Sequence, residues 1–452
     1  MERNIEDYIK PGARAHLVGI GGVSMAQLGE VLKGRGLAVT GSDMRESAAV
    51  DHLRSLGIPV TIGHLPQSAE GAECVIRTAA VHDDNPEIAA ARRLDVPVFE
   101  RAQAWGALMK GYRNALCVAG THGKTTTTSM CTHIFMAAGY DPSVMIGGTL
   151  PLLGAGHRVG RGDTIIAEAC EYRDSFLSFA PTVAVILNVE EDHLDYFKDL
   201  EDIKDSFRRF ARLVPAGGHV VANADNAGAR DAVDGLKAFT FGLEREADCT
   251  AANLEEKGRP VFDILVRGER YAHVELSVFG RHNISNALAA ASAAYVLGVP
   301  GTAVEEGLST FTGAGRRFEK KGNFHGADVY DDYAHHPDEL RALLTMAKSL
   351  GYQRVVCAFQ PHTYTRTAAL FDRFVEALRL ADAVVLAPIY AARETDTLGV
   401  SSDQLARRIP GGVSCPSLEA VTEHLAKIAR PGDLILTVGA GDIHLAGEAL
   451  WS

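Results

Sequence analysis

The chain has 452 residues, a formal net charge of -12, 46% hydrophobic and 23% charged residues. That balance is an ordinary globular one, and the missing basic field disfavours sequence-independent nucleic-acid binding. The length suggests about three domains; residues 1–7 lack the apolar core of a signal peptide, and no apolar run approaches the roughly 18 residues a membrane span needs.

The first block predicts a strand over 16–20, a glycine turn Gly19-Ile20-Gly21-Gly22-Val23-Ser24-Met25, a helix through Leu32, and a second strand over 37–40 ending in Gly41-Ser42-Asp43. This is a βαβ unit in which glycines permit close approach of a diphosphate and a carboxylate reaches a ribose hydroxyl. Ser24 replaces the third glycine of the dinucleotide pattern, which moves the expectation from NAD towards another nucleotide. Apolar runs at 60–62, 74–76 and 96–99 continue the alternation.

The second block opens with an apolar strand over 115–119, then Gly120-Thr121-His122-Gly123-Lys124-Thr125-Thr126 and a helix-like run over 129–135. Strand, glycine loop, lysine, hydroxyl and helix are the parts of a phosphate cradle. Backbone N–H groups face the phosphates, Lys124 adds positive charge, and the Thr125 hydroxyl suits Mg²⁺. ATP or GTP is the expected ligand. Strands over 164–167 and 183–187 lead to Glu168-Ala169-Cys170-Glu171 and to Asn188-Val189-Glu190-Glu191-Asp192-His193; a strand over 219–222 ends at Asn223-Ala224-Asp225. Ligand-binding residues of open parallel sheets lie at such strand ends. Gly313-Ala314-Gly315-Arg316-Arg317 marks a hinge.

The third block alternates again, with strands over 328–330, 354–359, 383–386 and 434–438. The first leads to Asp331-Asp332-Tyr333-Ala334-His335-His336-Pro337, the second to Gln360-Pro361-His362-Thr363-Tyr364-Thr365-Arg366. The fold class is therefore α/β in three domains, placed at 1–110, 111–314 and 315–452: a Rossmann-like domain, a central phosphate-loop ATP-binding domain, and a second Rossmann-like domain.

Mg²⁺ needs hard oxygen ligands. Thr125 is one, Glu168 is the best carboxylate candidate, and His193 is placed to hold a second metal. Glu171, Glu190, Glu191 and Asp192 read as solvated or supporting groups. His335, His336, His362 and Arg366 form a second constellation suited to anions, since arginine clamps a carboxylate or phosphate through paired hydrogen bonds. Seven dispersed cysteines without a Cys-x-x-Cys pair argue for a reducing compartment, the cytoplasm, and against disulfides or a zinc site.

Over nearly its whole length the chain resembles the Mur ligases, and among them the alanine-adding branch. The motifs that carry the resemblance are the N-terminal glycine turn, the His-containing phosphate loop, Glu168-Ala-Cys-Glu, Asn188-Val-Glu-Glu-Asp-His-Leu-Asp, Gly280-Arg-His-Asn-Ile-Ser-Asn, Asp331-Asp-Tyr-Ala-His-His-Pro and Phe359-Gln-Pro-His-Thr-Tyr-Thr-Arg. The resemblance implies an N-terminal domain for a UDP-sugar, with Gly19, Gly21, Gly22, Met25 and Asp43 on the substrate side. It implies ATP held by residues 120–126 with His282, Asn283 and Asn286, and Mg²⁺ held by Thr125, Glu168 and His193. Tyr333, His335 and Arg366 would serve the amino acid, and Lys124, His193, His335 and Arg366 the chemistry.

The implied reaction joins L-alanine to the carboxylate of UDP-N-acetylmuramate through an acyl phosphate, in peptidoglycan precursor synthesis, by a monomer or homodimer. Three positions depart from the family pattern. Cys170 stands in place of an aspartate, Thr363 where an arginine is frequent, and Arg208-Arg209 where other branches carry a carbamylated lysine. Competing readings are a murein-tripeptide recycling ligase, a nucleotide-dependent dehydrogenase and a non-catalytic nucleotide-sugar sensor.

Overall fold

Three separate runs of β/α alternation give three sheets in the computed structural model, which describes residues 3–78, 80–193, 196–256, 258–392 and 394–451. Leu194 and Asp195 of the Asn188 motif lie outside the described residues. The chain divides into two compact units. One takes residues 1–255, 261–276 and 284–311; the other takes 256–260, 277–283 and 312–452.

The first unit holds two sheets. The N-terminal one comprises β1 (Arg14–Val18), β2 (Ala38–Asp43), β3 (Val60–Ile62), β4 (Cys74–Arg77) and β5 (Val98–Glu100), all parallel in the order β3-β2-β1-β4-β5. The larger sheet contains β6 (Asn114–Ala119), β7 (Ser143–Leu150), β8 (Ala155–Arg158), β9 (Thr164–Ala169), β10 (Val183–Ile186), β11 (His219–Asn223), β12 (Ala238–Phe241), β13 (Cys249–Glu255), β14 (Val261–Val266) and β15 (Glu269–Glu275). Their order is β15-β14-β13-β12-β11-β10-β6-β9-β7-β8. Its middle is parallel, while β13, β14 and β15 form an antiparallel ribbon and β8 pairs antiparallel with β7.

β6 is buried from Ala115 to Ala119, as expected of a strand covered on both faces. The helix that follows it, Lys124–Ala137, is buried from Thr127 to Phe135 despite three threonines and a serine in that stretch. Its hydroxyls reach carbonyls one turn back, Thr128 to Lys124 O at 2.7 Å, Ser129 to Thr125 O at 2.8 Å and Thr132 to Thr128 O at 2.8 Å. Satisfied in that way, a polar helix can sit in a core.

The second unit carries β16 (Glu319–Phe324), β17 (Ala327–Asp332), β18 (Arg354–Phe359), β19 (Ala383–Leu386), β20 (Val413–Ser414) and β21 (Asp433–Val438), ordered β16-β17-β21-β18-β19-β20. Only β16 runs antiparallel to its neighbour. Among the described residues no helix is long and apolar enough to cross a membrane.

Several strands run further than their apolar stretches predict. β2 takes in Asp43, β9 takes in Glu168, and β17 takes in Asp331 and Asp332. Their ladders continue opposite Ile62, Val118, Thr437 and Val438. Backbone pairing does not depend on the side chain, so polar residues at these edges belong to the rigid sheet and not to loops.

Candidate active site

The phosphate loop joins β6 to the helix Lys124–Ala137. Gly123 caps that helix in the left-handed region, with φ 82°, and a Cβ there would lie 2.7 Å from the Asn286 carboxamide oxygen. Only glycine therefore fits. The helix end carries no side-chain cap and no acidic residue in its first turn, so its N–H groups and dipole face outward. Asn188, after β10, braces the loop: its side chain accepts from His122 N at 2.7 Å and donates to His122 O at 3.2 Å. Thr121 Oγ1 accepts from Glu190 N at 2.9 Å, and Asn286 Oδ1 accepts from the Thr127 hydroxyl at 3.2 Å.

Lys124 donates to Thr121 O at 3.1 Å and lies 3.0 and 3.2 Å from the two carboxylate oxygens of Glu171. Glu171 is only 2% exposed. Of the two expectations for Glu171, solvated or supporting, its burial excludes the first and fits the second: the short helical segment Tyr172–Ser178 follows it, and the carboxylate lies against the loop lysine. Burial works against the Lys124 ammonium, but the Glu171 charge outweighs it and holds the lysine above its ordinary range. The two residues before Ser175, Arg173 and Asp174, adopt left-handed backbone at φ 55° each, the local strain that makes this turn.

Register places Glu168 opposite Val118, two residues before the loop begins. Its Oε2 accepts from the Thr125 hydroxyl at 3.0 Å and from Gly147 N at 2.8 Å. His193 presents Nε2 3.9 Å from Glu171 Oε1 and packs on Tyr172 with ring centroids 4.6 Å apart. The half-exposed Thr126 sits on the first turn of the helix. Residues 120–126, Glu168, Glu171, His193 and Asn286 are thus gathered around one helix N-terminus. Burial, then the Glu171 charge, pushes the Cys170 thiol up to about 11, so it is protonated and no substitute for an aspartate ligand. Arg209 pairs with Asp174 at 3.4 Å, and Arg208 with Asp205 at 3.5 Å.

A second cluster occupies the N-terminal sheet. Gly19 has φ 79°, Gly22 caps the helix Val23–Gly34, and Gly21 N donates to Asp43 Oδ2 at 2.8 Å. Met25 is 2% exposed and packs into the core beneath the turn.

The C-terminal unit gathers a third group. Tyr333 and His335 lie with ring centroids 5.6 Å apart, His335 and His362 5.8 Å apart, and Arg366 Nη1 is 3.3 Å from His362 Nδ1. His362 also stacks on Tyr390, at 5.6 Å. His336 stands apart: it is 1% exposed and caps the helix Pro337–Ser349. Thr363 caps the short helix Tyr364–Ala369. Of the Gly280 motif, His282 is exposed and Asn283 Nδ2 donates to Phe279 O at 2.7 Å.

Comparison with known proteins identifies the family and the fold. The Mur ligase family, catalytic domain model matches residues 14–113, the Mur ligase middle domain model 118–294, and the Mur ligase, glutamate ligase domain model 316–441. A UDP-N-acetylmuramate–L-alanine ligase of Caldanaerobacter subterraneus subsp. tengcongensis is 44% identical, covering 99% of this chain and 98% of its own. Among solved structures, the UDP-N-acetylmuramate-alanine ligase of Thermotoga maritima superposes with a TM-score of 0.81 at 29% identity, covering 97% of this chain and 98% of its own. A murein peptide ligase of Psychrobacter arcticus follows with a TM-score of 0.72 at 25% identity, over 97% and 98%. Family-model matches running from residue 14 to 441, with a relative 44% identical over nearly the whole length, establish that the chain belongs to the Mur ligase family.

Proposed function

We propose that this protein is an ATP-dependent ligase that joins L-alanine to the carboxylate of UDP-N-acetylmuramate in peptidoglycan precursor synthesis. The observation that carries the chemistry is the loop Gly120–Thr126 with Lys124 paired to Glu171 and Thr125 to Glu168. The choice of alanine is supported by the Caldanaerobacter relative, which carries that name at 44% identity over nearly the full length, and by the Thermotoga structure, whose TM-score of 0.81 exceeds the 0.72 of the Psychrobacter murein peptide ligase.

In this reading, residues 1–110 hold the UDP-sugar through Gly19, Gly21, Gly22 and Asp43, with Met25 supporting the turn. Residues 111–314 hold ATP through the loop, Asn286, His282 and Asn283. Residues 315–452 serve the amino acid through Tyr333, His335 and Arg366. Cytoplasmic location follows from the substrates and the free, mostly buried cysteines.

The muramate carboxylate attacks the γ-phosphorus of ATP. The bond to the β–γ bridging oxygen breaks, and ADP leaves an acyl phosphate. The uncharged amine of L-alanine then attacks the acyl carbon; the C–N bond forms, inorganic phosphate departs and the amine proton passes to a base. Lys124 and the N–H groups of the loop oppose the charge that builds on the transferring phosphoryl group. Holding acid, phosphate and amine in line removes most of the entropic barrier.

The residues fit Mg²⁺. Thr125 Oγ1 and Glu168 Oε2, 3.0 Å apart, offer two hard oxygens beside the loop, and among the described residues no group of three or more acidic, histidine or cysteine side chains forms an all-protein cage. That sparse set suits an ion that keeps phosphate and water ligands. Thr125 and Glu168 would hold it, with His193 serving the γ-phosphate side. When bound, it would neutralise phosphate charge.

The test is phosphate release from ATP with UDP-N-acetylmuramate, adding L-alanine, glycine, L-serine or murein tripeptide in turn. Release dependent on both sugar and L-alanine, with a new amide by mass, is expected. Release with tripeptide alone would move the protein to the recycling ligases.

A further inference from the structure

β18 and β19 pair side by side, and the segments that leave them stay tied to each other beyond the sheet. Tyr390 N donates to Pro361 O at 2.9 Å and Thr363 N to Tyr390 O at 2.9 Å, which makes an isolated parallel bridge between His362 and Tyr390. The bridge brings two rings together, stacked with centroids 5.6 Å apart and 17° between their planes. Backbone after β21 braces the same ring, since a Cβ on Gly441 would stand 2.7 Å from the Tyr390 Cγ. Tyr390 is nevertheless 38% exposed, so burial alone does not account for a ring fixed at this many points.

Thr363 stands between the bridge and the short helix Tyr364–Ala369, at φ 65° and ψ 146°. A β-branched residue takes that conformation only where its surroundings impose it. Glu394, further along the segment that carries Tyr390, helps to impose it by accepting from Thr365 N at 2.9 Å and from the Thr365 hydroxyl. Thr363 Oγ1 accepts in turn from Arg366 N at 3.4 Å. This backbone sets the direction in which His362 and Arg366 leave the chain, and Arg366 Nη1 comes within 3.3 Å of His362 Nδ1. A guanidinium only donates, so the imidazole accepts there and carries its proton on Nε2. A His362 ring that turned about its bonds would lose this contact; the stack on Tyr390 prevents the turn.

We propose that Tyr390 and Glu394 are positioning residues for the amino-acid step: Tyr390 fixes the His362 ring that orients the Arg366 guanidinium, and Glu394 anchors the helix that carries Arg366. The proposal rests on the ligase reading, in which Arg366 takes the carboxylate of the incoming amino acid. A guanidinium clamps a carboxylate through two parallel hydrogen bonds, so fixing its plane beforehand favours capture. Neither Tyr390 nor Glu394 has to touch the amino acid.

Steady-state kinetics of the full chain, with ATP, UDP-N-acetylmuramate and L-alanine varied in turn, test the proposal. Tyr390→Ala should raise KM for L-alanine about tenfold and leave KM for ATP and for the sugar nucleotide within about twofold. Tyr390→Phe, which keeps the stacked ring, should restore the L-alanine constant to within about twofold. Glu394→Ala should raise the same constant a few-fold, and it carries the test if Tyr390→Ala fails to fold. Arg366→Lys removes the planar fork, so adding Tyr390→Ala to it should raise KM little further, because residues that act through one group are not additive. Equal rises in all three constants, an unchanged L-alanine constant, Tyr390→Phe no better than Tyr390→Ala, or full additivity with Arg366→Lys would overturn the positioning role and leave the ligase reading standing. An unmodified protein without L-alanine-dependent phosphate release would overturn the ligase reading, and the positioning role with it.

Discussion

Lys124 shows how one side chain is prepared for an anion. Its charge sits at a helix N-terminus and is held by Glu171 and by loop carbonyls, so a phosphate meets an ordered cation. Lys124→Ala is expected to lower turnover at least about 100-fold, with UDP-sugar binding nearly intact by calorimetry; normal turnover would contradict the loop assignment. Lysine, threonine and glycines were legible because the cradle is contiguous in sequence. The Glu171 partnership was not, because it depends on a strained turn that spacing does not reveal. The neighbours His335 and His336 likewise read alike in sequence, yet one joins a cluster and the other caps a helix. His133 yields a pH prediction. It is 6% exposed, and burial among groups such as Phe311 lowers its pKa from 6.5 to about 4. The unfolded chain therefore binds the extra proton between those values. His133 stability is complete above about pH 6.5 and is lost as pH falls towards 4. Comparing the melting of His133→Gln with that of the unmodified chain should show the variant losing less, by on the order of 2 kcal/mol across the window. Asp332, raised by burial to about 6, works in the opposite sense, since its contribution falls as pH rises towards that value, and the comparison cancels it.

Elements with buried, two-sided strands were the legible ones. β18 and β19 coincide with their apolar runs at 354–359 and 383–386, because continuous burial writes a continuous pattern. The β13–β15 ribbon was missed although β14 alternates half-buried and buried residues, and Arg267-Gly268, at φ 51° and 84°, forms the tight turn to β15. A period-two signal beside a two-residue turn was the available clue. Packing between elements left no sequence trace. Gly106, in the helix Arg101–Met109, is an example: a Cβ there would stand 1.8 Å from Ser178 O. Gly106→Ala should therefore push this helix off the segment Tyr172–Ser178 and cost about 1–3 kcal/mol. A lowered thermal midpoint is expected, since the clash falls on backbone that cannot swing aside. An unchanged midpoint would show that the contact relaxes freely.

At the scale of the whole molecule, the proposed reading gives a sugar nucleotide, a second nucleotide and an amino acid the polar strand ends of three separate sheets. The N-terminal sheet and the phosphate loop, with Glu168 beside it, fall within one compact unit. That proximity gives acyl-phosphate chemistry a physical basis, and the fate of one oxygen atom reports on it. UDP-N-acetylmuramate labelled with ¹⁸O in its carboxylate should be turned over with ATP and L-alanine, and the released phosphate analysed by mass. Phosphate carrying one carboxylate-derived oxygen per turnover is the expected result; phosphate free of label, alongside normal amide formation, would contradict transfer of the phosphoryl group to the acid.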